Sequence, residues 1–155
     1  VHEGGVSSPI VVHWPEGIDT PGELRHDPVH FVDLPPTLID LAGETVDPVW
    51  KGRNTPPLSG RSFAPALDGD GKVSHEFIFF HHLDNKAIRC GDWKLVARNN
   101  LPWELYNLKQ DRCEQNNLVE EYPEKARELW QAWEHWEKEY TQMAKTDTWP
   151  PEEEG

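Results

Sequence analysis

The residues best suited to ligand chemistry lie at positions 81–85, in the sequence His-His-Leu-Asp-Asn. The tandem His81-His82 and the nearby Asn85 carry groups that donate hydrogen bonds to the oxygen atoms of a ligand. One interpretation is therefore a binding loop. The other is that the two histidines end a strand, with one ring on each face. The residue types alone leave both interpretations open.

The cysteines and single aspartates give no metal-binding pattern. Cys90 and Cys113 lack metal-type spacing. They could form a disulfide or remain two thiols, because the sequence does not supply the distance between them. Asp33, Asp40 and Asp92 occur singly, where helix entry, a helix surface and a turn explain them. We expect no metal ligand among these residues.

Composition and charge exclude several classes of protein. The 155 residues include 28 acidic and 15 basic side chains, for a formal net charge of −13. Nucleic-acid binding depends on Lys and Arg meeting phosphates, so we expect no such partner. No apolar run approaches the ~20 residues of a membrane span. The first residues show neither Met nor a signal-peptide pattern. We expect a soluble monomer with a cut N-terminal end.

Four short strands are predicted between residues 77 and 108. They are Phe77–Phe80, Lys86–Cys90, Trp93–Val96 and Trp103–Leu108. Gly91-Asp92 separates the middle two, and a two-residue loop with Gly first fits a type II′ hairpin turn. Tight connections between short strands predict an antiparallel sheet in which each strand pairs with the next. One face of this sheet requires a cover.

A long helix from Pro123 to about Met143 is predicted to supply that cover. Its apolar residues recur every three or four positions and form one stripe: Ala126, Leu129, Trp133, Trp136, Tyr140 and Met143. A helix that binds a partner is the alternative. Fewer than three heptads, with bulky Trp in the seam, favour packing within the chain.

The N-terminal part has a different character. Pro9–Trp14 is predicted to be a buried strand. A helix with Pro36 in its first turn and Leu38, Ile39 and Leu41 on its apolar face should end at Gly43. His30, just before this helix, is expected to be a structural hydrogen-bonding residue, whereas His2 lies too near the end of the chain to assign.

The predicted fold class is α+β. The end of an α/β core, as strand and helix, is followed by the four-stranded antiparallel sheet and its long C-terminal helix. The predicted limits are 1–43 for the core part, 44–76 for a linking segment, 77–145 for the sheet and helix, and 146–155 for a disordered tail. Phe63, Ala66 and Leu67 should form one helical turn within the linking segment.

Several phrases of the sequence resemble the C-terminal subdomain of the sulfatase family, arylsulfatase-like enzymes of the alkaline phosphatase superfamily. They occur in the family's order over roughly residues 3–123, and five in order are a specific signal. These phrases are EGGVSSPIVVHWP, HFVDLPPTLIDLAG, LSGRSFAPALDG, HHLDNKAIRCGDWKLV and WELYNLKQD followed by NNLVEEYPE. The resemblance implies that 1–43 is the end of a catalytic core.

The resemblance also implies a chemistry. In the intact enzyme, a Cys or Ser in a C/S-x-P-x-R motif becomes formylglycine, whose hydrate attacks sulfur with the help of a divalent cation, usually calcium. Neither cysteine and none of the serines begins that motif here. Family metal ligands and a catalytic Lys precede the EGG phrase. The segment alone is expected to lack catalytic residues and to be inactive, with the upstream core of the same protein as its partner.

By order, His82 and Asn85 match the His and Asn of the family's H-x-x-x-N phrase. The resemblance therefore implies that they are substrate-binding residues, contacting a sulfated small molecule or sugar. Ser7 stands where the family commonly has Arg, which puts an anion contact or salt bridge there in doubt. The family resemblance also implies a periplasmic or secreted enzyme.

Two further interpretations remain open. The chain could be an acidic α+β interaction module with no catalytic relatives, or the equivalent part of a related phosphonate or phosphate ester hydrolase. A C/S-x-P-x-R motif upstream in the same reading frame would separate the sulfatase from the interaction module.

Overall fold

The structure is a computed structural model, and it describes residues 1–67, 71–73 and 75–146. The chain divides into two compact units, one formed by residues 1–8 and 76–155 and the other by residues 9–75. The helices are α1 (Glu3–Val6), α2 (Leu34–Leu41), α3 (Ala64–Leu67) and α4 (Pro123–Thr146). The strands are β1 (Val49–Trp50), β2 (Arg53–Asn54), β3 (Ile78–His82), β4 (Asn85–Cys90), β5 (Trp93–Ala97) and β6 (Glu104–Asn107).

Strands β3 to β6 confirm the predicted antiparallel sheet. They lie in the order β3-β4-β5-β6, each antiparallel to its neighbour. Cys90 pairs with Trp93 across the predicted tight turn. Gly91 has a φ of 56°, a value that the first position of a type II′ turn requires and that glycine adopts without steric cost.

Helix α4 covers one face of this sheet, as its apolar stripe predicts. The shared core contains Ile88, Leu95 and Leu105 from the strands and Ala126, Leu129 and Trp133 from the helix. The last two residues of the stripe are not covered by the sheet, because Tyr140 and Met143 are 52% and 60% exposed. A 24-residue helix is about 36 Å long, whereas four strands at ~4.8 Å spacing span only about 15 Å. The sheet is too small to cover the whole stripe.

The N-terminal segment packs on the opposite face of the sheet. A second cluster there contains Ala87, Val96, Tyr106 and Leu108, and Val1 packs against it. Both faces of the sheet are therefore covered, although sequence analysis assigned a cover to only one. The domain limits expected from the sequence remain a prediction.

In the other unit, helix α2 confirms the predicted helix and its end. Pro35 occupies the first turn, and Gly43 follows the helix with a φ of 68°. Leu38 and Leu41 are nevertheless exposed, so the predicted apolar face is not covered within the described residues. The predicted helical turn in the linking segment is α3, and its Ala66 packs in a small core with Phe63 and Val73.

The predicted buried strand at Pro9–Trp14 is wrong. These residues have no strand conformation, and Val11 is 89% exposed. A β-branched run becomes a strand only when a neighbouring strand accepts its backbone hydrogen bonds. Among the described residues, no strand pairs with this segment. A short hairpin of two-residue strands, β1 and β2, also lies in the predicted linking segment.

The predicted disordered tail and the expected absence of a membrane span are the remaining sequence predictions about the fold. The predicted disordered tail lies, after Thr146, outside the described residues. Within the part of the chain that is described, no helix combines the length and hydropathy needed to cross a bilayer.

Trp133 is expected to hold the sheet and α4 together. Its side chain is 2% exposed and contacts the ring of Trp103 edge-on, with ring centroids 5.6 Å apart. The Trp133→Ala variant should lower the free energy of unfolding by ~3–5 kcal/mol, because a buried aromatic side chain is replaced by a cavity. Urea denaturation of both proteins measures this difference.

The matched control is Glu134→Ala on the same helix. Glu134 forms a partly exposed pair with Lys138 at 3.6 Å, so its loss should change stability by less than ~0.5 kcal/mol. If Trp133→Ala leaves the denaturation midpoint unchanged but dissociates a dimer, the stripe is an interface between copies and the packing prediction fails.

Candidate functional site

The two predicted substrate-binding residues face each other across the β3–β4 hairpin. His82 pairs directly with Asn85, so both side chains lie on the same face of the sheet. The Asn85 Nδ2 donates to the His82 carbonyl oxygen at 3.2 Å. The amide retains a second N–H and its oxygen for other partners. His82 is exposed, and its role with Asn85 in binding substrate stays a prediction.

His81 lies on the opposite face, toward α4. It pairs with Lys86, and its ring meets Trp133 edge-on with a centroid distance of 5.7 Å. The two histidines thus end strand β3 with one ring on each face. The H-x-x-x-N spacing itself joins His81 to Asn85, but the structure brings His82, not His81, to the face of Asn85.

A buried ion cluster lies on the face of the sheet opposite α4. Lys94 is fully buried, and its Nζ is 2.9 Å from Glu3 Oε1 and 2.9 Å from Glu114 Oε1. The Glu114 Oε2 accepts from the Glu3 backbone N–H at 2.7 Å and lies 3.0 Å from His2 Nδ1. A buried lysine needs such partners, because an unpaired charge in the interior is very costly. The cluster fixes the N-terminal segment to strand β5.

Arg112 lies beside this cluster and contacts Ser7. Its NH2 group donates to Ser7 Oγ at 2.7 Å and lies 3.9 Å from Glu3 Oε2. The hydroxyl of Ser7 thus meets a guanidinium from another part of the same unit.

Asp33 and His30 have the structural roles expected from the sequence. The buried Asp33 carboxylate accepts from the backbone N–H of His30 at 2.7 Å and of Arg61 at 2.8 Å. It also lies 2.9 Å from His75 Nε2. His30 Nδ1 in turn accepts from the Val32 N–H at 3.3 Å, completing a capping box on the 3-10 helix Phe31–Asp33, which leads directly into α2.

The other aspartates and the two cysteines singled out in the sequence are not brought together into a binding or catalytic site among the described residues. The Asp40 carboxylate accepts from the Ser62 hydroxyl at 2.5 Å, and Asp92 occupies the β4–β5 turn. Cys90 and Cys113 are free thiols, which selects one of the two alternatives left open above. Across the described residues, no three His, Cys, Asp or Glu side chains are grouped to hold a metal ion.

Sequence analysis missed the cluster of Lys94, Glu3 and Glu114, although one signal was present. Lys94 stands between Trp93 and Leu95 in a predicted strand, so it must point away from their face. Had the second face been recognised as covered, an acidic partner would have been required. The identity of that partner was not available, because Glu3 and Lys94 are 91 positions apart.

The stability of this cluster can be tested with the Lys94→Met variant. Met has a similar length but leaves two buried carboxylates without a cation, which should lower the free energy of unfolding by ~3–5 kcal/mol. Lys109→Met, at an exposed position, should change it by less than ~0.5 kcal/mol. Urea denaturation provides the comparison.

A second set of variants distinguishes the cost of burying unpaired carboxylates from the loss of the contacts that Lys94 makes. Adding Glu3→Gln and Glu114→Gln to Lys94→Met should recover part of the lost stability, since no unpaired charge remains buried. If Lys94→Met unfolds at the same urea concentration as the unmodified chain, the cluster does not stabilise the fold.

Comparison with known proteins places this domain in a family. The chain matches the model of the N-sulphoglucosamine sulphohydrolase C-terminal family over residues 1–139. It is 29% identical over 148 residues to the N-acetylglucosamine-6-O-sulfatase of Bacteroides thetaiotaomicron, covering 85% of this chain and 25% of that protein.

Solved structures give the same result. The crystal structure of Ps i-CgsB is similar with a TM-score of 0.64 and 26% identity, over 80% of this chain and 27% of that one. BT4656, solved in complex with its substrate D-glucosamine-2-N,6-O-disulfate, is similar with a TM-score of 0.52 and 27% identity, over 79% of this chain and 25% of that one.

These matches confirm the sulfatase resemblance and overturn the interpretation of a module with no catalytic relatives. The chain spans about a quarter of the length of the relatives it matches. Since the family model covers residues 1–139, the chain belongs to the N-sulphoglucosamine sulphohydrolase C-terminal family and is a C-terminal sulfatase domain.

Proposed function

We propose that this domain forms the substrate side of the active site in a sulfatase that hydrolyses sulfate esters, with a sulfated sugar as substrate. The observation that carries this proposal is the family match over residues 1–139. Support for a sugar comes from the curated relative that is an N-acetylglucosamine-6-O-sulfatase and from the similar structure that holds a disulfated glucosamine.

The β3–β4 hairpin is the proposed contact with that substrate. His82 is exposed at its tip, and Asn85 lies opposite it on the same face. An imidazole and a carboxamide placed together can donate to sulfate oxygens and exchange hydrogen bonds with sugar hydroxyls. In this proposal the two residues orient the substrate and take no part in breaking the S–O bond.

The nucleophile and the metal ligands of such an enzyme are not found in the sequence and the described residues of this domain. Its cysteines and serines do not begin the formylglycine motif, and the described residues hold no group of metal-ligating side chains. Attack on sulfur and stabilisation of charge on the sulfate group would be supplied by formylglycine and calcium held elsewhere in the enzyme. The catalytic core of the same protein is thus the proposed partner of the domain.

The proposed setting of the intact enzyme follows from its family and its charge. We infer a periplasmic or secreted monomer, because the sulfatase resemblance implies that location. The formal charge of −13 disfavours nucleic acid as a partner, since polyanions repel an acidic surface.

The isolated 155-residue chain is expected not to hydrolyse para-nitrophenyl sulfate, with or without added calcium. It carries neither the oxidisable nucleophile nor a described metal site, and the rate of this chemistry depends on both. The full-length protein that contains this chain is the positive control. Metal-dependent turnover by the purified domain would contradict the assignment of the catalytic groups to the rest of the enzyme.

In the full-length protein, His82→Ala and Asn85→Ala are each expected to raise KM for a sulfated sugar by about tenfold. This is the effect of losing one hydrogen bond to a charged group. Steady-state kinetics with glucosamine N,6-disulfate measures it. The control is His135→Ala, since His135 lies on α4 with its side chain 76% exposed.

His81→Ala gives a second comparison within the same hairpin. Because His81 contacts Trp133 on the opposite face, this variant should reduce thermal stability and leave KM nearly unchanged. If His81→Ala raises KM and His82→Ala does not, the substrate lies on the helix side of the sheet and the assignment of His82 is wrong.

A further inference from the structure

A cavity opens on the face of the sheet that carries His82 and Asn85. Glu104 in its wall pairs with Val96, which belongs to the cluster on the face opposite α4. The cavity has a volume of about 130 Å³ and is lined by His2, Arg98, Leu101, Pro102 and Glu104. Pockets for whole drug-sized ligands measure about 300–1,000 Å³. This one is therefore sized for a single substituent.

Arg98 places a cation beside the predicted substrate-binding residues. It follows Ala97, which pairs with Lys86, so the next position along the ladder brings Arg98 opposite Asn85. The loop after β5 is held there because the Asn100 N–H donates to the Asp84 carbonyl oxygen at 3.3 Å. Arg98 is exposed, and its guanidinium has no hydrogen-bond or ion-pair partner among the described residues.

His2 presents a ring nitrogen to the cavity. Its Nδ1 lies 3.0 Å from Glu114 Oε2, and its side chain is 34% exposed. Because the buried carboxylate accepts from Nδ1–H, the other nitrogen, Nε2, is left for a ligand and is an acceptor in the neutral ring. Because Glu114 also contacts Lys94 at 2.9 Å, the position of this ring depends on the ion cluster beneath it.

Glu104 supplies an acceptor. Its Oε2 accepts from the Tyr106 hydroxyl at 3.0 Å. Burial, together with this hydrogen bond, raises the pKa of Tyr106 above its ordinary value, which keeps the phenol protonated as a donor. The second oxygen of Glu104 can accept from a ligand hydroxyl. The cavity thus combines one cationic donor suited to an anion, Arg98, with two acceptors suited to hydroxyl groups, His2 Nε2 and the Glu104 carboxylate.

We propose that this cavity is a subsite for a second anionic substituent on the sugar, bound by Arg98, while His2 and Glu104 accept from neighbouring hydroxyls. The inference rests on the proposed function and extends it, since it makes Arg98 a determinant of specificity for sugars that carry more than the reacting sulfate. A guanidinium binds sulfate and carboxylate in the same two-pronged geometry. The second anion is therefore either an N-sulfate or the carboxylate of a uronic acid.

Kinetics of the full-length protein with three substrates test the subsite. These are glucosamine 6-sulfate, glucosamine N,6-disulfate, and glucosamine 6-sulfate linked to glucuronate. Arg98→Gln should raise KM at least about tenfold for the substrate whose second anion it binds, and less than about twofold for glucosamine 6-sulfate. The affected substrate identifies the anion as sulfate or carboxylate. Arg98→Lys, which keeps the charge but loses the planar fork, should fall between the two proteins.

The charge-matched control is Lys109→Gln. Lys109 is exposed just beyond the end of β6, where Asn107 pairs with Trp93, at the end of the sheet away from Arg98. It should leave all three KM values unchanged. Unaltered melting temperatures show that the variants fold.

The outcomes separate this inference from the function on which it rests. If the unmodified protein turns over at least one sulfate ester and Arg98→Gln changes no KM ratio, the subsite is wrong and the sulfatase assignment stands. If it turns over none, the proposed function fails. Calorimetric titration with the same sugars then decides the subsite. A Kd at least about tenfold weaker in Arg98→Gln supports it, whereas an equal Kd or no binding by the unmodified protein overturns it.

Discussion

The sheet unit depends on one buried lysine. Lys94 has no exposure and lies between the carboxylates of Glu3 and Glu114, each 2.9 Å from its Nζ. The geometry must be good, because the cost of removing three charged groups from water is recovered only through close pairing. Glu114 then bonds the backbone of Glu3 and the ring of His2. Both the position of the N-terminal segment and the shape of the cavity beside Arg98 follow from this contact.

Local pattern was sufficient to predict the sheet and the helix that covers it. The short strand Trp93–Val96, the Gly91-Asp92 turn and the stripe through Leu129 and Trp133 are all encoded within short stretches of sequence, and the structure has each of them. Helix α2 and its end at Gly43 were predictable for the same reason. In these places, hydrophobic period and turn chemistry agree with the tertiary packing.

The features that sequence analysis missed or mistook depend on distant contacts. The composition of Pro9–Trp14 suits a strand, but a strand requires a partner, and none is present among the described residues. Leu38 and Val11 are exposed because no other described part of the chain covers them. The polar groups of the candidate site also come from far apart in the chain, since His2 and Arg98 line one cavity. The type of each residue is visible in the sequence, but their proximity is not.

The long separation between Glu3 and Lys94 along the sequence has a consequence for synthesis on the ribosome. Lys94 lies 91 residues after Glu3, and a ribosome adds about 5–20 residues per second. Lys94 is therefore synthesised about 5–18 seconds after Glu3. When strand β5 emerges, its lysine can be buried at low cost only after Glu3 has returned to it and Glu114, further along the chain, has been made. Within this unit, residues 1–8 therefore pack onto strands that are synthesised later.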